Sequence, residues 1–383
     1  MFTLLKDGTV YSPEYLGKQD ILFCFDRIAA IKEKIEVKDV ESINPDNIKI
    51  VDCINKVIFP GIIDLHVHIA GGGGEGGFST RTSSAKAGDI LMNGITTVVG
   101  VLGADGVTRN VAGLYAKAKQ LEADGLSTYI YTGSYEVPVI TLTGGIQSDL
   151  VYVDKVIGVG EICLEDNRAF QPTFEEISRI AAQARNGAII SGKAGLVHFH
   201  MGTGEKGLAY LFRLINETLI PKAHFLPTHV NRNRKLFAEA IEYLKAGGHI
   251  DLTAGFIPLK DDPDCVASYD ALKMLIDLGA DISRVTCSSD AYGSVPVFDE
   301  QGNVVSSSTV STQILFEEIR IAVKNYNVPF ETAVSVITSN PADVLKINTR
   351  KGRLKTGLDA DCVICDNELN IQQVFARGKM YSH

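Results

Sequence analysis

The 383-residue sequence predicts an α/β fold: a closed (β/α)₈ TIM barrel with a small β-domain built from both chain termini. Three observations carry this. Apolar, strand-like runs alternate eight times with segments of helical period from about Val57 to about Asp290. Glycines stand where four of those helices should stop. Short strand-like text returns at both ends, outside the alternation. A doubly wound open sheet is the competing arrangement, and eight regular repeats favour closure.

In chain order, Asp7-Gly8 reads as a hairpin turn between an apolar run at 2–5 and Val10-Tyr11. Runs at 21–25 and 27–31 read as strands, and Asn44-Pro45-Asp46-Asn47 as a further turn. Barrel strands are expected at 57–69, 96–102, 127–132, 156–164, 196–200, 224–229, 250–254 and 284–288. Helices are expected at 81–93, 110–123, 174–185, 208–217, 236–246 and 269–278; Gly94, Gly125, Gly247-Gly248 and Gly279 close four of them. Two more helical stretches (310–324 and 329–336) precede short apolar strands at 358–365 and 372–376. The chain thus divides into an N-terminal part of the small domain (1–57), a barrel (58–350) and a C-terminal part of the small domain (351–383).

Composition narrows the function. Hydrophobic residues make up 45% and charged residues 22%, an ordinary globular balance. Lys+Arg is 37 against 46 Asp+Glu, a net charge of -9 with no basic run, which argues against nucleic acid as a partner. No apolar stretch approaches the ~18 residues of a membrane span, and the N-terminus lacks a signal-peptide pattern. Seven scattered cysteines read as reduced thiols of a cytoplasmic protein. The one Cys-x-x-Cys, Cys362 with Cys365, falls in an apolar strand and reads as buried.

Reactive groups of a parallel barrel gather at the C-terminal ends of its strands. Strand one ends in Asp64-Leu65-His66-Val67-His68, strand five in His198-Phe199-His200, strand six in Thr228-His229 and strand eight in Ser288-Ser289-Asp290. Strand four carries Glu161, Glu165, Asp166 and, just beyond, Arg168. Five of the eight histidines therefore sit at three strand tops. His66 and His68, two apart, point to one side of a strand. His-x-His alone recurs by chance; His200, His229 and Asp290 at the same level turn the pair into a metal site. Imidazole with carboxylate suits zinc, and also manganese or iron.

The residues Pro60-Gly61-Ile62-Ile63-Asp64-Leu65-His66-Val67-His68 resemble the first-strand motif of the amidohydrolase superfamily. Asn340-Pro341-Ala342 and 351–361, Lys-Gly-Arg-Leu-Lys-Thr-Gly-Leu-Asp-Ala-Asp, resemble its C-terminal return into a β-sandwich. Within it the chain most resembles the isoaspartyl (β-aspartyl) dipeptidases. The segments 68–75, 132–138, 199–202, 226–233 and 288–294 carry that likeness, which runs nearly end to end. The resemblance implies hydrolysis of β-linked aspartyl dipeptides by two divalent ions, most often zinc, with a metal-bridging hydroxide. It also implies a large homo-oligomer. His66, His68 and Asp290 would hold one ion and His200 and His229 the other. The family's bridging carboxylated lysine falls here on Glu161, a shorter carboxylate that needs no carbon dioxide adduct, so the strand is expected to sit closer. Glu165 is the fallback, and His198 reads as a core or supporting histidine.

The resemblance further implies that the glycine-rich segment 71–77, six glycines around Glu75, approaches the substrate backbone through Gly73 and Gly74, and that Glu75 pairs with the substrate's α-amino group. Arg168 and Arg232 would bind its carboxylates, Tyr135 would donate to the scissile carbonyl, Ser294 would complete the pocket, and Asp290 would be the general acid–base. Ala104 stands where the family favours a hydroxylated residue, so the leaving-group side is expected to be looser. The rival enzymes are dihydroorotase-, hydantoinase- or D-aminoacylase-like, which share the metal site but have no need of Glu75 beside two arginines. A barrel reduced to a binding scaffold would not need Asp290 among four strand-end histidines.

Overall fold

A computed structural model describes residues 2–42, 48–258, 263–299 and 304–382, so the turn expected at 44–47 lies outside the described residues. Six parallel strands run in order around the barrel: Ile62–Val67, Ile95–Gly100, Ser127–Thr132, Val156–Leu164, Leu196–Met201 and Phe225–Thr228. Ile250–Thr253 and Val285–Ser288 form a parallel pair that completes the ring. One seam is closed by the Asn231 amide, which accepts from Thr253 N (2.8 Å) and donates to Thr253 O (2.9 Å). The other is closed where Val67 bridges Ala291 and His68 N donates to Ala291 O at 2.9 Å. Asp64 ties the first strand to the last through the Ser289 hydroxyl, at 2.5 Å, and Ser289 N at 3.2 Å.

The expected strand at 57–69 is two strands. Val57–Pro60 belongs to the terminal sheet and Ile62–Val67 to the barrel, and Gly61 N donates to Asp361 O at the crossing. The two chain ends form the small β-sandwich, one mixed eight-stranded sheet. Phe2–Tyr11 is a single strand, so Asp7-Gly8 is not the expected hairpin turn. Asp7 sits at φ 59° at a register break, and the chain reverses at 12–14 instead. That break lets the strand pair with Ile48–Asp52 over its first half and Val57–Pro60 over its second. Leu5, Ile21, Phe23, Ile58, Cys362 and Phe375 pack inside this domain, and burial raises the Cys362 thiol well above its ordinary value.

Helix Phe174–Ser191 begins in a capping box of Thr173 and Glu176 and runs past Asn186-Gly187 to Gly192 in the left-handed region. The early stop expected at 185 is overridden because Gly187 packs closely on Leu150 of Ile146–Tyr152, a helix beyond the expected set. The helix expected at 81–93 covers only Ala87–Met92, because Thr82 is held in the glycine-rich turn, its hydroxyl 2.6 Å from both Gly72 N and Tyr292 O. After the last barrel strand, Ser294–Phe298 and Val304–Thr309 form an antiparallel hairpin, also unforeseen. Ile63, Val99, Tyr131, Leu196 and Leu226 pack with Ala342 and Leu345 at the barrel's lower end, which leaves the polar groups at the upper one. Among the described residues, no helix is long and apolar enough to cross a membrane.

Candidate metal centre and substrate pocket

The strand ends bring His66, His68, Glu161, His200 and His229, all buried, together with the partly exposed Asp290 into one cluster. Glu161 lies at its middle. Its Oε2 is 3.2 Å from His200 Nδ1, 3.3 Å from His66 Nε2 and 3.9 Å from His229 Nε2; its Oε1 is 3.6 Å from His68 Nε2. Asp290 Oδ1 faces His68 Nε2 at 3.1 Å and His66 Nε2 at 3.4 Å. The closer strand that a shorter carboxylate needs has a visible means. A Cβ at Gly158 or Gly160 would collide with Leu196 O or with His198, so the fourth strand presses onto the fifth beside Glu161. Glu165 instead leaves the strand at φ 55° and accepts from Lys206 N at 3.0 Å, away from the cluster.

This donor set fits divalent metal. His66 Nε2, His229 Nε2, Glu161 Oε1 and Asp290 Oδ1 are buried without a hydrogen-bond partner, and all four face the cluster centre. Two carboxylates at that depth require cationic charge. Burial opposes the charge on Glu161, but His66, His200 and His229 outweigh it and hold its carboxyl well below the usual range. Asp290 is held down in the same way by His66 and His68 against burial. Burial, then His200, pushes His229 down to about 3, whereas burial of His66 is outweighed by Glu161 and Asp290, which raise it well above its ordinary value, a positive charge that a bound cation would replace. Outer partners fix the rings: His229 Nδ1 meets Thr253 Oγ1 at 2.8 Å, and His66 Nδ1 meets His198 Nε2 at 2.8 Å. His198 is thus a support for His66. His224 lies outside the cluster, at the far end of the barrel, where its Nδ1 donates to Gly195 O (2.8 Å).

Above the cluster opens a cavity of about 660 Å³, lined by His68, Gly73, Glu75, Ala104, Tyr135, Arg168, His200, Arg232, Asp290 and Ser294. Gly74 is not among its lining residues. Tyr135 lies over the cluster, its hydroxyl 2.7 Å from His200 Nδ1; burial, then Glu161, pushes the phenol well above its ordinary value, so it stays a donor. Glu75 accepts from Ser294 Oγ (3.0 Å) and Arg168 Nη1 (3.2 Å). Asp166, named in the sequence but given no task, takes the Arg168 fork at 2.8 Å on both arms. Arg168 therefore offers the pocket Nη1 alone, whereas Arg232 Nε has no partner and its guanidinium lies over Phe256. Arg234 is exposed at the start of its helix. The hairpin adds Val295, Ser308 and Thr309 as a wall.

Comparison with known proteins agrees with this arrangement. The model of the amidohydrolase family matches residues 259–381. A β-aspartyl dipeptidase from Fervidobacterium islandicum AW-1, solved in complex with the β-Asp-Leu dipeptide, is 44% identical, covering 99% of this chain and 96% of that one at a TM-score of 0.91. A second structure of β-aspartyl dipeptidase from that organism is 43% identical, covering 100% and 97%, at 0.89. Dihydropyrimidinase from Brevibacillus agri NCHU1002 shares the fold at 14% identity, with coverage of 100% and 95% and a TM-score of 0.70. A dihydroorotase from Lactobacillus johnsonii is 25% identical over 413 aligned positions, 96% of this chain and 90% of that protein. The barrel is that of an amidohydrolase, a hydrolase class. Within that class, the chain belongs to the β-aspartyl dipeptidases.

Proposed function

We propose that the chain hydrolyses the β-linked amide of isoaspartyl dipeptides, releasing aspartate and an amino acid. The observation that carries this is Glu75, held by Arg168 and Ser294 in the wall of a cavity that His68, His200 and Asp290 of the cluster also line. An α-amino group beside a scissile β-amide calls for one carboxylate there, and the substrate carboxylates call for cations.

His66, His68, Glu161, His200, His229 and Asp290 would hold two divalent ions, zinc being the metal the family resemblance implies, with Glu161 at the middle of the set. Such ions supply Lewis acidity and bring the pKa of bound water toward neutrality. Tyr135 donates its hydroxyl to the carbonyl oxygen as negative charge grows there. Asp290 takes the proton of the attacking water as general base and returns it to the leaving amine as general acid. Glu75 exchanges Arg168 for the substrate ammonium. Arg168 Nη1, so released, and Arg232 then bind the carboxylates. Gly73, and Gly74 behind it, let the loop come close to the substrate backbone, and Ala104 leaves room on the leaving-group side. We further infer the division 1–57, 58–350 and 351–383, a homo-oligomeric enzyme and a cytoplasmic setting, the last supported by seven free cysteines.

The test compares kcat/KM for β-Asp-Leu, its N-acetyl form and α-Asp-Leu. Acetylation strands Glu75 without a cation, at a cost of roughly 2–5 kcal/mol, so the first substrate should lead by more than about tenfold. Equal values for all three would reduce the reading to a generic amidohydrolase. The dihydroorotase likeness, at 25% identity, is the weaker claim.

A further inference from the structure

The loop after the second barrel strand carries a buried arginine that the mechanism does not use. Arg109 is 9% exposed and does not line the substrate cavity. Its guanidinium spreads over the glycine-rich loop from behind. Nε donates to Ala70 O at 3.2 Å, Nη1 to Gly73 O at 3.3 Å and Nη2 to Thr82 O at 3.3 Å. Asp105 braces it, with Oδ2 3.4 Å from Nη1, and the same carboxylate holds Arg81 at 2.7 Å. The three carbonyls belong to the two arms of the loop: Ala70 and Gly73 lead into Glu75, and Thr82 follows the return.

The loop is drawn tight on this guanidinium. Gly71 stands at φ 81°, and a Cβ there would lie 2.6 Å from Thr82 O and 3.2 Å from Arg109 Nη2. Gly73, at φ 72°, faces Arg81 across a short antiparallel bridge. A segment of six glycines has the largest backbone freedom to lose on ordering. A carboxylate set in such a segment needs something to fix it, and Arg109 makes the charged contacts that do so on the side away from the substrate. Only a fork of donors reaches all three carbonyls at once; a lysine presents its donors from a single point.

We propose that Arg109 is a positioning residue for amine recognition: by clamping both arms of the glycine-rich loop, it sets Glu75 where the substrate ammonium arrives. The proposal rests on the reading of Glu75 as the ammonium site. The experiment is a cycle of R109K, E75Q and the double variant, with D105N as a second way to loosen the clamp, each checked for folding by circular dichroism and for metal content. The readout is the ratio of kcat/KM for β-Asp-Leu to that for N-acetyl-β-Asp-Leu. A misplacement of about 1 Å can cost about 100-fold, so R109K should lower the ratio about tenfold or more, chiefly through KM for β-Asp-Leu, and D105N should lower it less. In the E75Q background R109K should leave the ratio where E75Q alone puts it. An R109K effect of equal size on both substrates, or one that persists undiminished in E75Q, overturns the positioning role. An E75Q variant that keeps the wild-type ratio refutes the Glu75 reading itself and takes this proposal with it.

Discussion

Tyr135→Phe removes one oxygen from the roof of the cluster and leaves a ring of the same shape. The tyrosine is 4% exposed, its hydroxyl lies 2.7 Å from His200 Nδ1, and the Arg168 guanidinium stands 5.5 Å from its ring centre. Phenylalanine keeps the packing, and His200 Nδ1 keeps Glu161 at 3.2 Å, so metal content should hold. Substrate carboxylates and ammonium are read by other residues, so KM should stay within about threefold. What disappears is one preorganised donor to the developing oxyanion, worth roughly 2.7–4 kcal/mol, or about 10²–10³ in kcat. Leucine release from β-Asp-Leu under steady-state conditions, with metal content measured on the same samples, gives both numbers. A kcat within about tenfold of wild type would refute the donor role. Loss of metal in step with rate would assign Tyr135 to holding His200 instead.

Three further outcomes follow from the same geometry. His200→Ala takes away an imidazole that faces Glu161 and should remove metal and activity together, read by atomic absorption beside the rate; full retention of both would dismiss the ligand set. Because Glu161 is itself a carboxylate, reconstitution of the apoenzyme with zinc should proceed equally with and without bicarbonate, and a requirement for bicarbonate would point to a carboxylated lysine elsewhere. His249 lies outside the cluster, and burial, helped by Arg284, pushes its imidazole down to about 4. Its folded pKa is below the ordinary ~6.5, so the unfolded chain binds the extra proton and stability falls as pH drops from about 6.5 to 4. H249Q should remove up to about 2 kcal/mol of that fall between pH 7 and 5, measured by urea unfolding at the two pH values; identical pH dependence in both proteins would contradict it.

Much of the barrel and of the metal cluster was legible in the chain itself, since both rest on short-range rules. Alternating apolar runs and helical periods mark β/α units, and polar residues that end apolar strands must gather at one rim. His66, His68, His200, His229 and Asp290 end expected strands and Glu161 falls at the family's lysine position, and the fold brings the six side chains together. Local rules failed where a distant partner decided the outcome. Asp7-Gly8 has the composition of a turn, yet the backbone of Phe2–Tyr11 continues through it because strands from residue 48 onward pair along both halves. The helix expected at 174–185 runs on to Ser191, with Gly187 packed on Leu150 of a neighbouring helix.

The pocket's charge assignments belong to tertiary structure alone. In the sequence Arg168 and Arg232 are equivalent cations. In the fold Asp166 occupies two arms of the first, and the second keeps a free Nε. Arg109 gives no signal in a polar loop, because its meaning lies in carbonyls 27 to 39 residues away that only chain folding brings beneath it. Periodicity fixes which face a side chain takes within its own element. Which of several equal charges remains free for a substrate depends on the distances to every other charge, and those exist only once the barrel has closed.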